Sequence, residues 1–443
     1  MELPRKLGLF TAVAVLIGST IGSGIFRSSA GIAAKVPNEP AFFAAWIVGG
    51  VCVLAGALTY AELAAALPRT GGVFVYLREG FGRLPAFLFG WAELTILRAS
   101  ALGAIATVFA EYLLRLLGFS VTNNSDAVHY VAAVAILAVA FFNYLGVKIG
   151  AIIQNLTAGT KYIALLLLVL ASFLFGGATS TPNFTRPETG STSLSLFGLA
   201  LIAVLWVYDG WADLTFVSGE VRAPDRNLPL ALIMGTLGVI AIYLAANLAY
   251  VHVLTIDGIA ASPLVAADVA YQVVGNLGVK LVSLAVMVSA FGTLNGSIMT
   301  GPRIFFAMAD EGLFFKRVAT VHPRLHTPYV AIWLAAGLGA AFVMVRNFEQ
   351  LADTFVLGIW PFYAGGAAAV YALRRKRPDL MRPYRVWGYP ITPAIFIAAA
   401  LFLLGNALAT GTGIAVFAVI LGGIPAYWLW QAVKKFESAT KGE

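Results

Sequence analysis

The sequence predicts an all-α polytopic membrane protein of twelve transmembrane helices, and three observations carry that prediction. Of 443 residues, 60% are hydrophobic and 11% charged, with a mean hydropathy of +0.86, an apolar excess that a chain folded in water would have to expose. The apolar residues gather into about twelve stretches, most of them near the roughly 20 residues a helix needs to cross a hydrocarbon core. The basic residues fall mostly in alternate short segments between stretches, which share one side of the membrane.

In chain order the spans lie near 10–34, 41–67, 82–117, 127–147, 151–176, 196–218, 228–251, 273–309, 329–346, 351–372, 391–408 and 411–432. The first is long, lacks a small-residue cleavage site and is followed by similar spans, so it reads as a mature helix rather than a signal peptide. The spans at 82–117 and 273–309 exceed the crossing length and call for tilt or for projection beyond the bilayer. The longest external loops, 177–195 and 252–272, leave no room for a soluble catalytic domain. With the N-terminus inside, segments containing Arg5, Lys6, Arg69, Arg78, Arg222, Arg226, Arg374 to Arg377 and Lys434 are cytoplasmic. They hold most of the 29 Lys and Arg, which places both termini in the cytoplasm and the protein in the cytoplasmic membrane. The formal charge of +8 is thereby a topology signal and implies no nucleic-acid partner. Cys52 is the single cysteine and lies in an apolar run, so no intrachain disulfide is possible.

Two spans carry breaks. Ile17 to Phe26 places three glycines (Gly18, Gly22, Gly24) and three hydroxyls (Ser19, Thr20, Ser23) within ten positions. Glycine supplies backbone freedom, and unwinding there frees N–H donors at the start of a second half-helix, suited to a carboxylate. In the sixth span, Leu205 to Asp213 combines Gly210 with Asp209, Asp213 and the aromatics Trp206, Tyr208 and Trp211. A carboxylate at membrane depth is costly unless it faces protein, water or a cation, and carbonyls freed by a second break can share an ammonium group with it. Together the breaks describe a zwitterion site. The alternatives are a helix-packing seam at Gly18 and Gly22, a structural partner role for Asp209, and a polar network for Asp213.

Lys161 stands about ten residues from the nearer end of the fifth span, too deep to count on reaching water. Such a lysine can release a proton, or stay charged and hold a broken helix through its free carbonyls. Glu62, Glu93, Arg98, Asn247 and Arg303 read as helix-to-helix contacts, and Asn295 as the one such polar residue placed to touch a ligand. Trp206 and Trp360 are candidates to close over it. No metal or cofactor is expected, and the absence of HExxH, a nucleophile elbow or an acid cluster with a base argues against an enzyme. A channel is disfavoured by interrupted helices without filter-like carbonyl runs.

The ordered motifs IGSTIGSGIF, ALTYAELAAALPRTGGVFVYLREGFG, FGWAELTILRAS, VYDGWADLTFVSGEVRAPDRNLPLAL, FGTLNGSIMTGPRIFFAMADEG and RKRPDLMRPYRV resemble the amino acid, polyamine and organocation superfamily. Within it, the chain is similar to the L-type amino acid transporter branch and the bacterial serine/threonine exchangers. The resemblance implies a LeuT-like fold: inverted repeats at 1–176 and 196–372, two added helices at 391–432 and a cytoplasmic tail at 433–443. It implies that main-chain groups around Gly22, Ser23 and Gly24, with Ser19 beside them, take a substrate carboxylate. Carbonyls of Ile21, Trp206, Val207 and Asp209 take the amine, Trp206 gates the site, and Asn295 and Trp360 lie near it. Lys161 stands where sodium-coupled relatives bind sodium. The implied activity is sodium-independent exchange of small or medium neutral L-amino acids by alternating access, with proton-coupled symport the alternative and a non-transporting sensor behind it. Animal relatives link to a glycoprotein subunit through an external cysteine. Cys52 cannot serve that link, so the expected partners are the amino acid and membrane lipid, with the protein a monomer or weak oligomer. Trp206 replaces the commoner phenylalanine, and Asp209 stands where many animal members have glycine.

Overall fold

The computed structural model describes residues 5, 7–69, 71–121, 125–145, 162–176, 193–310, 312–325 and 327–440. Lys161 lies outside them. The first span is broken into α1 (Leu9–Thr20), α2 (Gly24–Arg27) and α3 (Ser29–Lys35). The second is α4 (Glu39–Ala66), begun by Asn38, whose side chain accepts from the Ala41 amide at 2.8 Å. After α5 (Val73–Phe81) come α6 (Arg83–Leu116), α7 (Ser125–Leu145) and α8 (Tyr162–Phe175). The sixth span is again broken, into α9 (Leu194–Tyr208) and α10 (Asp213–Phe216). The chain continues through α11 (Pro224–Val253), α12 (Ile256–Ala261), α13 (Val265–Val274), α14 (Asn276–Asp310), α15 (Tyr329–Val345), α16 (Phe348–Lys376), α17 (Ile391–Ala409) and α18 (Ile414–Thr440). A reciprocal capping box of Asn347 and Gln350 starts α16.

Among the described residues there is no strand beyond one isolated bridge, Leu7 with Val221. Among the described residues nine helical spans are long and apolar enough to cross a membrane, Leu9–Arg27 counted as one, and α8, α9, α13 and α15 are shorter apolar helices. Three elements depart from the sequence expectation: α5 follows the second span, and α12 and α13 occupy the segment read as an external loop. All three are too short to register as spans.

The helices pack as a bundle: α1 on α11, α9 on α4, α11 on α4, α6 on α14 and α15, and α7 on α14 and α15. Large apolar side chains such as Phe141, Leu166, Leu284 and Leu421 are exposed on the outside, as lipid-facing surface requires. Glu62, buried in α4, accepts from Arg374 at 2.9 and 2.6 Å and from the Val386 amide at 2.8 Å. It is the helix-to-helix contact expected of it. Cys52 is buried in the same helix.

Candidate functional site

Both breaks fall where glycine and acid residues predicted them, and they touch. α1 ends at Thr20, and the helix resumes at Gly24. α9 ends at Tyr208, Asp209 turns extended with ψ 158, and Gly210 adopts φ +101 before α10. A Cβ on Gly210 would meet the Ser19 carbonyl at 2.7 Å, and one on Gly24 would meet the Val207 Cα at 3.2 Å. Tyr243 of α11 lies between the breaks, its hydroxyl 2.7 Å from the Thr20 carbonyl and 3.0 Å from that of Val207. Tyr112 donates to the Phe26 carbonyl at 2.8 Å. Buried carbonyls released by unwinding need such partners, and tyrosines on neighbouring helices supply them.

A cavity of about 660 Å³ lies between the breaks and is lined by Ser19, Gly22, Ser23, Gly24, Val207 and Asp209. Trp206 borders it as well. Asp209 accepts from the Tyr363 hydroxyl at 3.0 Å. Glu93 and Arg98 also line the cavity, paired at 3.0 Å, and Arg98 donates to Ser297 at 3.1 Å. A pair five residues apart points to different faces of an α-helix, but residues Glu93 to Leu97 form a π turn, which brings positions i and i+5 together. The π turn thus sets an ion pair into the cavity wall.

The cavity extends toward the side bearing the N-terminal segment, reaching Leu7, Arg69, Arg78 and Glu220. Its other end is closed. Trp206 packs edge-on against Phe355 (5.4 Å) and Phe348 (6.2 Å). Above Phe348, at 4.3 Å from its ring, lies Arg27, which bonds Glu111 at 2.9 Å and Glu349 at 2.5 Å. Arg27, unremarked in the sequence because its partners belong to distant spans, joins the first, third and tenth spans on that side.

Three predicted residues do not face the cavity. Ile21 and Asn295 are fully buried outside its lining, and Asn295 accepts from Asn143 of α7 at 2.9 Å. Trp360 turns away and packs on Phe396 (5.2 Å) and Tyr363 (6.4 Å). Glu93 and Arg98, read as helix contacts, also line the cavity, and Arg98 makes the helix contact through Ser297 of α14. No group of His, Cys, Asp and Glu suited to a metal occurs among the described residues.

The sequence profile of the amino acid permease family matches residues 7–426, nearly the whole membrane-embedded chain. The chain belongs to that family. The permease is 32% identical to the serine/threonine exchanger SteT of Bacillus subtilis over 431 residues, which cover 96% of this chain and 97% of that one. It is 31% identical to the human cystine/glutamate transporter over 437 residues, 97% of this chain and 86% of that one. Against the mouse b(0,+)-type amino acid transporter 1 it is 30% identical over 405 residues, covering 91% and 82%. These are permeases of the superfamily that the motifs resemble, in its exchanger and L-type branches. The family is one of transporters, not enzymes, and the permease is a multi-pass membrane protein.

Proposed function

We propose that the permease exchanges small and medium neutral L-amino acids across the cytoplasmic membrane, independently of sodium, by alternating access. The observation that carries this reading is the pair of broken helices facing one cavity. The first four N–H groups of a helix have no partner within it, so the half-helix opening at Ser23 and Gly24 presents donors to a carboxylate. Across the cavity, Asp209 and the last carbonyls of α9 present acceptors to an amine. The relatives' names support the class of cargo: one is a serine/threonine exchanger and one a cystine/glutamate transporter.

The halves 1–176 and 196–372 act in this reading as inverted repeats. Support comes from the packing: α1 on α11 mirrors α9 on α4, and α6 on α15 mirrors α14 on α7. Exchanging each span for the one five positions later leaves these pairings unchanged. With both termini cytoplasmic, the cavity opens inward and the Arg27 cluster with Trp206 closes the outer path. Lys161 replaces the coupling sodium.

The test is uptake of labelled amino acids into sodium-free proteoliposomes, empty or preloaded with unlabelled amino acids. Uptake confined to preloaded vesicles is expected. Uptake into empty vesicles that follows an imposed pH gradient would establish proton symport in place of exchange. Saturable binding without flux would make the protein a sensor.

A further inference from the structure

The chain between α16 and α17 is strongly basic. From Arg374 to Trp387, six of fourteen residues are Lys or Arg and one, Asp379, is acidic. Four of the six are bonded within the protein: Arg374 to Glu62 at 2.6 Å, Arg377 to Glu79 at 3.0 Å, Lys376 to the Gly80 carbonyl at 2.8 Å, and Arg382 to the carbonyls of Leu373 and Arg377 at 3.0 and 2.9 Å. With the Val386 amide on Glu62 and the Arg374 guanidinium 3.7 Å from the Tyr389 ring, these bonds fold the segment back on the end of α16. Arg375 and Arg385 differ from the rest. Both are exposed, and neither forms an ion pair or a side-chain hydrogen bond among the described residues, with Asp379 or with any other group.

Apolar side chains stand among these cations. Met381 is 78% exposed, Trp387 66% and Ile391 64%. Ile391 is also the first residue of α17, a helix long and apolar enough to cross the membrane, as is α16 before the segment. A segment whose two ends enter the bilayer is held at headgroup depth, and tryptophan beside arginine at the end of a span is the pairing that this depth favours. The segment lies on the side to which the cavity opens, since Glu79, the partner of Arg377, also meets Arg69 and Arg78 at the open end.

We propose that residues 375–391 form a binding surface for anionic phospholipid headgroups, with the Arg375 and Arg385 guanidiniums on the phosphates and Met381, Trp387 and Ile391 against the upper acyl chains. A guanidinium matches two phosphate oxygens with parallel N–H bonds, and basic residues clustered beside a membrane span attract anionic lipid. A soluble acidic partner would answer the charge and leave the apolar side chains uncovered. A lipid covers both. The proposal depends on the chain spanning a membrane and not on which cargo it carries.

The experiment titrates the purified full-length protein in detergent with dioleoyl phosphatidylglycerol or dioleoyl phosphatidylcholine and reads the tightest bound lipid by native mass spectrometry. Wild type should prefer phosphatidylglycerol about twenty-five-fold, at about fivefold for each arginine. Arg375→Gln combined with Arg385→Gln should abolish that preference, and lysine at both positions should keep most of it. Arg226→Gln removes an exposed cation at the start of α11, on the same side, and should leave the preference unchanged. Equal retention of the two lipids by wild type, or an unaltered preference in the double glutamine variant, would overturn the proposal. So would an equal loss in Arg226→Gln, which would make the preference one of net charge, or displacement of the lipid by inorganic phosphate, which would make the site one for a free anion. Because both arginines are exposed and unbonded, the glutamine variants should keep the wild-type thermal midpoint, and the single variants carry the same test where the double one does not fold.

Discussion

The first and sixth spans both break at mid-length and face one cavity, yet they use glycine for different reasons. At the first break, neither Gly22 nor Gly24 adopts a left-handed dihedral. Gly24 is small because Val207 lies against it, and Gly22 meets only an ordinary contact, the Thr293 methyl at 3.5 Å. At the sixth, Gly210 carries φ +101 and also lies against the Ser19 backbone. Tyr243 of α11 takes a carbonyl at each break, Thr20 at the first and Val207 at the sixth, so the difference is that only the sixth has its turn built into its own backbone, through Gly210. The sequence expectation of glycine backbone freedom rests on the first break, whereas the left-handed glycine is Gly210 at the sixth.

The largest effect should follow from Gly210→Ala. A left-handed alanine costs about 1–2 kcal/mol, and its methyl would press on a main-chain carbonyl that has no side-chain freedom to yield. Exchange should be lost and the thermal midpoint in detergent lowered. Wild-type exchange by this variant would break the comparison at its strongest point. Asp209→Asn comes next: amino acid affinity should weaken about tenfold or more, the scale on which removing a charge from a buried polar pair is felt. Binding by the purified protein reads this directly, and unchanged affinity would return Asp209 to a structural role beside Tyr363.

Much of this arrangement was legible in the sequence, and the illegible parts share a cause. Hydropathy located apolar helices, nine spans among the described residues being long enough to cross, because an all-helical chain in lipid must place its apolar runs across the hydrocarbon core. The clustered glycines and acids located both breaks. What hydropathy cannot supply is the direction a side chain takes on a helix that is apolar all round. Asn295 and Trp360 stand at the right depth yet turn toward α7 and α17. Glu93 and Arg98 sit about 140° apart on an ideal helix, at 100° per residue, and only the π turn between them creates the pair. Arg27 was a lone cation in an apolar run until the fold placed Glu111 and Glu349 beside it.

Tyr243 sharpens the comparison because it serves both breaks with one proton. Tyr243→Phe keeps the ring that packs on Trp46 and Tyr208 (6.0 and 5.2 Å) and removes the hydroxyl. Two buried carbonyls then lose a donor, at a cost of about 1–3 kcal/mol for an unsatisfied buried group. Reduced exchange with substrate affinity largely kept is the expected result, since the hydroxyl bonds the backbone rather than facing the cargo. An equal loss of affinity would mean that the tyrosine shapes the binding geometry itself.

The smallest expected effect is also the most discriminating, because it compares two glycines two residues apart. Gly24→Ala brings a methyl to 3.2 Å from the Val207 Cα and a similar distance from its side chain, so the two breaks must separate by a few tenths of an ångström. Gly22→Ala meets the Thr293 methyl at 3.5 Å, an ordinary van der Waals contact, and asks for no movement. The thermal midpoint should drop for the first by an amount worth about 1 kcal/mol, in the range for modest overpacking, and stay near wild type for the second. Were the two glycines needed for conformational freedom instead, both alanines would stiffen the break alike, and their midpoints and exchange rates would change together. A split between them places the requirement in the neighbour, Val207, and makes the contact between the two broken helices the feature that glycine protects.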